Sequence, residues 1–231
     1  MVEKNAQAEI SGSYFSGNTS GAYGSAVYVW NNAVVGITDT LFVGNSALYG
    51  TIRNYGGTLN MVNVVLSGNI RGLSSGSNGT NTAVNVTISN NTRSAVFGND
   101  NASLLFYNSI ILGGRTVFEL SGASTVGGDT NLSVSEFGSG FILYDGGDLF
   151  APDGYSLIED SQAIDKGNNS YISGYETDLA GNPRIVGGTV DLGACEYQHG
   201  GSGLLSSRVR AADAGFAEFD PAGQEIDLDG F

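Results

Sequence analysis

The chain has 231 residues, 36 of them glycine and 3 proline, 41% hydrophobic residues and a formal net charge of −14. Glycine well above its usual ~7% share, beside ordinary hydrophobicity, argues for a β protein with many tight corners and against disorder. The lone Cys195 excludes an internal disulfide, no apolar run reaches the ~20 residues of a membrane helix, and the acidic balance argues against nucleic-acid binding, which needs a basic face.

In chain order, Met1-Val2-Glu3-Lys4-Asn5 comes first and lacks the apolar core of a secretory signal. A hexad then recurs: Ser13-Tyr14-Phe15-Ser16-Gly17-Asn18, Thr40-Leu41-Phe42-Val43-Gly44-Asn45, Val64-Val65-Leu66-Ser67-Gly68-Asn69 and Val86-Thr87-Ile88-Ser89-Asn90-Asn91. Ser109-Ile110-Ile111-Leu112-Gly113-Gly114 is a degraded fifth copy. The inward apolar residue advances through Phe15, Phe42, Leu66, Ile88 and Ile111 in steps of 27, 24, 22 and 23 residues. Such a period marks a solenoid in which each repeat is one turn of chain. Helical periodicity is absent.

Three residues before each inward position stand Gly12, Asp39, Asn63, Asn85 and Asn108, and two further back Ile10, Ile37, Met61, Ala83 and Phe106. One coil therefore reads as strand, corner, strand, corner, looser segment and strand. Gly, Asn and Asp suit corners because they tolerate a left-handed backbone. Asn18, Asn45, Asn69 and Asn91 are assigned to the next corner. Coils stack about 4.8 Å apart, so Asn side chains at equivalent positions, Asn63, Asn85 and Asn108 included, are expected to bond as structural ladders. Candidate third strands are Ala26–Val29, Thr51–Arg53, Ala95–Phe97 and Thr116–Phe118, whereas Ser74–Asn81 reads as a flexible excursion.

Charge is segregated. Through Leu120 five acids balance five bases, and from Ser121 eighteen acids face four bases. This divides the chain into coils at 8–120, a C-terminal cap at 121–198 and, after Gly200-Gly201-Ser202-Gly203, a linker and acidic tail at 199–231 for which disorder is expected. A solenoid needs its ends capped, and few residues precede the first repeat, so the reading is of a C-terminal part of a longer protein or a truncated product.

The Phe-x-Gly-Asn repeat followed by Gly24-Ser25-Ala26-Val27 resembles the repeats of right-handed parallel β-helix proteins, including the polymorphic outer-membrane-protein type. The order Asp148-Leu149-Phe150, Tyr155-Ser156-Leu157, Ser161-Gln162-Ala163-Ile164-Asp165-Lys166-Gly167, Thr177-Asp178-Leu179-Ala180-Gly181-Asn182-Pro183-Arg184 and Val190-Asp191-Leu192-Gly193-Ala194-Cys195-Glu196-Tyr197 resembles the closing module of the choice-of-anchor Q family of bacterial surface proteins. Gln162 and Cys195 depart from that family's usual motifs. The resemblance implies an all-β, right-handed parallel β-helix of about five coils with a C-terminal cap module, from a secreted or cell-surface bacterial protein.

Arg71 and Arg93 fall five residues after Leu66 and Ile88, and Arg115 four after Ile111. A column of guanidinium groups would grip an acidic polysaccharide, or else form a solvated edge with its stems over apolar surface. Tyr14, Tyr23, Tyr28, Trp30, Tyr49, Tyr55, Phe97 and Tyr107 either stack on sugar rings or cover core and loops. Asp145, Asp148 and Asp153 are candidate Ca²⁺ ligands, with a solvated acidic surface as the alternative. Asp165, Asp178 and Asp191 are read as partners of turn N–H groups.

No catalytic or cofactor-binding residue is assigned. Asp39 belongs to a corner, Asp100 and Glu119 share no register, and the single His199 lies in a Gly-rich stretch. The expectation is a non-enzymatic structural or adhesive protein whose partner is a polysaccharide or a surface protein. The alternative is a fragment of a carbohydrate-active enzyme, a polysaccharide lyase or glycoside hydrolase, whose catalytic coils lie upstream.

Overall fold

Apolar residues at fixed offsets within each repeat turn the chain through one coil and set the next coil in register on it. The computed structural model describes residues 1–133, 150 and 155–198, with the backbone of 141–143. Coil one holds β1 (Gln7–Ser11), β2 (Tyr14–Ser16), β3 (Thr19–Ser20) and β4 (Val27–Trp30). Coil two holds β5 (Val34–Val43), β6 (Ser46–Ala47) and β7 (Ile52–Tyr55), and coil three β8 (Thr58–Ser67) and β9 (Arg71–Gly76). Coil four holds β10 (Thr80–Val84), β11 (Thr87–Ser89) and β12 (Ser94–Gly98), and coil five β13 (Ser103–Tyr107), β14 (Ile110–Ile111) and β15 (Thr116–Leu120). A sixth coil follows with β16 (Thr125–Asp129) and β17 (Asn131–Ser133), and β18 (Phe141–Leu143) pairs with β17.

Every pairing between these strands is parallel. They form an 11-stranded sheet, a 5-stranded sheet (β4, β7, β9, β12, β15) and a short two-stranded one, so the protein is an all-β parallel β-solenoid, or β-helix. Its stack has six turns against the five expected and runs on to Ser133, past Leu120. The sixth repeat escaped detection because its hallmarks are gone: Thr130 stands in the corner, and Ser133 pairs with Ile111 where an apolar residue is otherwise found.

Phe15, Phe42, Leu66, Ile88 and Ile111 pair coil to coil and form the interior column that the repeat implies. The Phe15 and Phe42 rings stack at 4.9 Å and 9°. Ile10, Ile37, Met61, Ala83 and Phe106 form a second column. The first corner has the same backbone throughout: Gly12, Asp39, Asn63, Asn85, Asn108 and Thr130 have φ between 48° and 53°. At the second corner the left-handed residue is Gly17, Gly44, Gly68 or Asn90 (φ 54–66°), one position before the ladder asparagine. The asparagine itself is thereby free to turn inward.

That inward ladder is continuous. Asn18 Nδ2 donates to Asn45 Oδ1 at 2.9 Å, and Asn45 Nδ2 to Asn69 Oδ1 at 3.1 Å. The Asn69 amide donates to Asn91 Oδ1 at 3.0 Å. Along the corner of Asn63, Asn85 and Asn108 the ladder is partial: Asn63 reaches Asp39 one coil back, Thr130 Oγ1 donates to Asn108 Oδ1 at 2.7 Å, and all three asparagines also bond the closing segment. Asn63 donates to Asp39 Oδ1 and to the Thr177 carbonyl, both at 2.9 Å, and Asn85 to the Asp191 carbonyl at 3.0 Å. Asn108 bonds the Asn168 carbonyl at 3.0 Å and the Asn168 amide at 2.8 Å. These three anchor the closing segment, because the chain of 155–198 packs against that corner.

The closing segment lies along the side of the coils. It covers the outward row Leu41, Val65, Thr87, Ile110 and Leu132 with Leu179, Ala194 and Cys195 at one end and Leu157, Ala163 and Leu192 at the other. The Ala194 amide donates to Thr87 Oγ1 at 3.0 Å. Burying both faces of a strand suits a parallel sheet, and β8 is buried along nearly all its length.

Ser74–Asn81 is no excursion. Ser74, Ser75 and Gly76 complete β9, Ser77 and Asn78 turn with positive φ, and Thr80 and Asn81 open β10. Small residues stand here because neighbouring side chains fill the space: a Cβ on Gly76 would lie 2.4 Å from Asn99 Oδ1 and 2.7 Å from Arg53 Nη2.

Candidate functional site

Strand alternation puts Tyr28, Trp30, Arg53 and Tyr55 on the outer face of the five-stranded sheet, opposite the inward Val27, Val29 and Ile52. Register then sets Tyr28, Arg53, Ser74, Phe97 and Glu119 in one outward row across five coils. The loops before β4 and β7 add Tyr23 and Tyr49. Tyr23 stacks on Tyr28 at 5.1 Å and on Tyr49 at 5.9 Å, and Tyr49 meets Phe97 at 6.4 Å.

Arg53 is the floor of this group. It is only 3% exposed, and its Cζ lies 5.4 Å from the Tyr49 and Tyr55 ring centres and 5.9 Å from that of Phe97. Its Nη1 donates to Ser74 Oγ at 2.6 Å and its Nη2 to Asn99 Oδ1 at 3.1 Å, while buried Nε has no hydrogen-bond partner among the described residues. Burial pulls the guanidinium pKa down, and Tyr28, Tyr55, Tyr49 and Asp100 oppose that. Burial likewise raises the Tyr28 phenol, with Tyr23 adding to it. Asn99 Nδ2 donates to Asp100 Oδ2 at 2.6 Å at the rim. These residues enclose a basin of about 610 Å³ lined also by Met1, Tyr23 and Trp30, of which Tyr23 is 53% and Trp30 41% exposed.

Of the eight aromatic residues singled out in the sequence, six meet here. Tyr14 lies against the closing segment instead, and Tyr107 meets Tyr171 in a tilted contact at 4.5 Å. Arg53, Asn99 and Asp100 were missed as site residues. The alternation Ile52 in, Arg53 out, matching Val27 in, Tyr28 out, was the available signal.

The arginines do not form the expected three-membered column. Arg71 pairs with Ser94, and Ser94 with Thr116, so Arg93 and Arg115 sit one residue off its row. Coil four takes five residues from Asn91 to Val96, where coil three takes four from Asn69 to Leu73; this single extra residue slips the row. Arg71 is buried, with Nη2 on both Glu119 oxygens at 2.9 and 2.7 Å, Nε on Ser94 Oγ at 3.1 Å and Nη1 on the Leu48 carbonyl. Its Cζ lies 4.4 Å over the Phe97 ring, which joins the arginines to the aromatic basin. Arg93 and Arg115 line a neighbouring depression of about 500 Å³ with Thr92, Thr116 and Glu119.

The closing segment carries a second polar cluster, and it is structural. Asp178 accepts the Asn182 and Glu196 amides at 2.9 Å, Asp191 those of Asp165 and Tyr197 at 2.7 and 2.6 Å, and Glu196 those of Val186 and Asp191 at 2.9 Å. Asp178 and Asp191 thus fill the turn-bonding role read for them, whereas Asp165 contributes its amide and a positive φ of 55°. Buried Arg184 binds the Asp191, Gly193 and Ala194 carbonyls. Burial raises all three carboxyls, Glu196 to about 8, against the pull of the amides and Arg184. Among the described residues no group of three His, Cys, Asp or Glu is placed to hold a metal ion, and Asp145, Asp148, Asp153 and His199 lie outside them.

Fold and face together define a parallel β-solenoid with an aromatic, arginine-floored outer sheet. Comparison of the chain with family models, curated proteins and solved structures returns no match.

Proposed function

We propose that this chain is part of a secreted or cell-surface protein with a structural or adhesive role, and that the outer face of its five-stranded sheet binds glycans without turning them over. One observation carries the reading. Six aromatic side chains from three coils converge round one buried cation, leaving Tyr23 and Trp30 half open to solvent. Nothing in coil stacking requires this, since the interior columns already supply the core. Aromatic rings offer flat apolar faces to the C–H faces of sugars, and Asn99 and Asp100 offer polar groups to hydroxyls at the rim. The basin's volume is in the range that ligand pockets occupy. The surface location rests on the resemblance of the repeats and closing motifs to those of bacterial surface proteins.

A glycan array with an assay for cleavage on the same glycans tests it. Binding without turnover is expected, with Tyr23→Ala and Trp30→Ala each weakening it about tenfold at unchanged melting temperature. Cleavage of any glycan would support the enzyme alternative instead.

A further inference from the structure

The depression beside the aromatic basin is lined by two arginines, Arg93 and Arg115. Ser94 pairs with Thr116, and the Thr116 amide donates to the Arg93 carbonyl at 3.2 Å, so Arg93 and Arg115 are neighbours on adjacent coils. Coils stand about 4.8 Å apart, and like charges placed directly across strands destabilise a sheet. Among the described residues that line the depression the one carboxylate, Glu119, is already engaged, giving both oxygens to Arg71. Arg93, its side chain 48% exposed, approaches Glu119 only to 3.7 Å, and Arg115 has no ion-pair partner among the described residues. Three arginines against one glutamate leave two positive charges here, in a chain whose net charge is −14.

We infer that Arg93 and Arg115 bind the carboxylate of an acidic saccharide whose sugar rings run on over Phe97 toward Tyr49 and Tyr23. This rests on the glycan-binding reading of the sheet face and names the class of glycan. Guanidinium forks match carboxylates in a bidentate way, and Thr92 and Thr116 hydroxyls stand beside them. The outward row from Glu119 to Tyr28 crosses four coil steps, about 19 Å, which is the reach of an oligosaccharide and far more than a free anion occupies. Arg71, locked to Glu119 and over Phe97, joins the charged end to the aromatic end.

The test compares polygalacturonate with its fully methyl-esterified form, which keeps the backbone and loses the charge. The wild type is expected to prefer the acid form, with affinity falling as salt rises. Arg93→Ala/Arg115→Ala should lose about a hundredfold on the acid form, about tenfold per guanidinium, and little on the ester. Its melting temperature should be unchanged or higher, a result a structural role would not give. Equal binding of acid and ester by wild type and double variant overturns the inference and leaves the glycan-binding reading standing. Loss of acid binding in the double variant with no effect of Tyr23→Ala overturns the aromatic reading alone. Inorganic sulfate or phosphate displacing the polymer at equal charge concentration reduces the site to a small-anion site and overturns the saccharide assignment, as does failure of the wild type to bind the acid form.

Discussion

Asn69 uses its whole side chain in the ladder. Its Oδ1 accepts the Asn45 amide and side chain at 2.8 and 3.1 Å, and its Nδ2 donates to the Phe42 carbonyl at 3.1 Å. Asn69→Ala leaves the buried Asn45 amide without its partner and removes one bond to the Phe42 carbonyl, so a loss of about 1–3 kcal/mol is expected in urea unfolding. Asn18, exposed at the first coil, bonds only downward; Asn18→Ala should cost less than about 1 kcal/mol. Equal losses at the two positions would count against a cooperative ladder. The asparagines were legible because each of the first four repeats shows one at the same offset. Their division of labour was not: Asn45 and Asn63 look alike in sequence, yet one faces the interior and the other faces a segment more than a hundred residues away.

At the scale of elements, the closing segment holds its shape with side-chain bonds where the coils use strand ladders. Residues 155–198 contain a single 3₁₀ turn (Asn169–Tyr171) and only isolated bridges, and buried Arg184 binds the three carbonyls that bring the two motif loops together. Arg184→Ala strips these carbonyls and the neighbouring buried carboxyls of their cation, so the segment should be destabilised by about 3–5 kcal/mol. The measurable consequence is faster hydrogen exchange at the Glu196 and Tyr197 amides, while the Phe42 and Leu66 amides of the stack keep their protection. Uniform loss of protection in both would show instead that flank and coils fold as one unit. Asp178 and Asp191 take the turn-bonding role read for them and Asp165 does not, while the row that the segment covers, Leu41 to Leu132, could not be read, because outward apolar residues on one coil do not announce what lies over them.

For the whole molecule, the buried carboxyls set the direction of the pH response. Burial raises Glu196 from 4.5 to about 8, and Asp178 and Asp191 shift the same way. Between the ordinary and raised values the folded chain keeps protons that the unfolded chain has released. The unfolded state then binds fewer protons, so stability falls as pH rises from about 4.5 to 8. Thermal melts across that interval should show a declining midpoint, with Glu196→Gln flattening the decline; a midpoint that climbs would contradict the assignment. The sequence by itself determined the coil, its corners and its interior columns through the fifth coil, because equivalent positions meet their own kind one level down; the sixth coil, with Thr130 and Ser133 in those positions, carries no such mark. Only the tertiary structure decided which outward residues share a face. The spacing from ladder asparagine to third-strand core residue runs from nine residues (Asn18 to Val27) through seven (Asn45 to Ile52) to four (Asn69 to Leu73) and five (Asn91 to Val96), and each change alters which residue, counted from the asparagine, takes its place in the outer row. Interior packing absorbs those insertions as loops, and the outer surface records them as new neighbours.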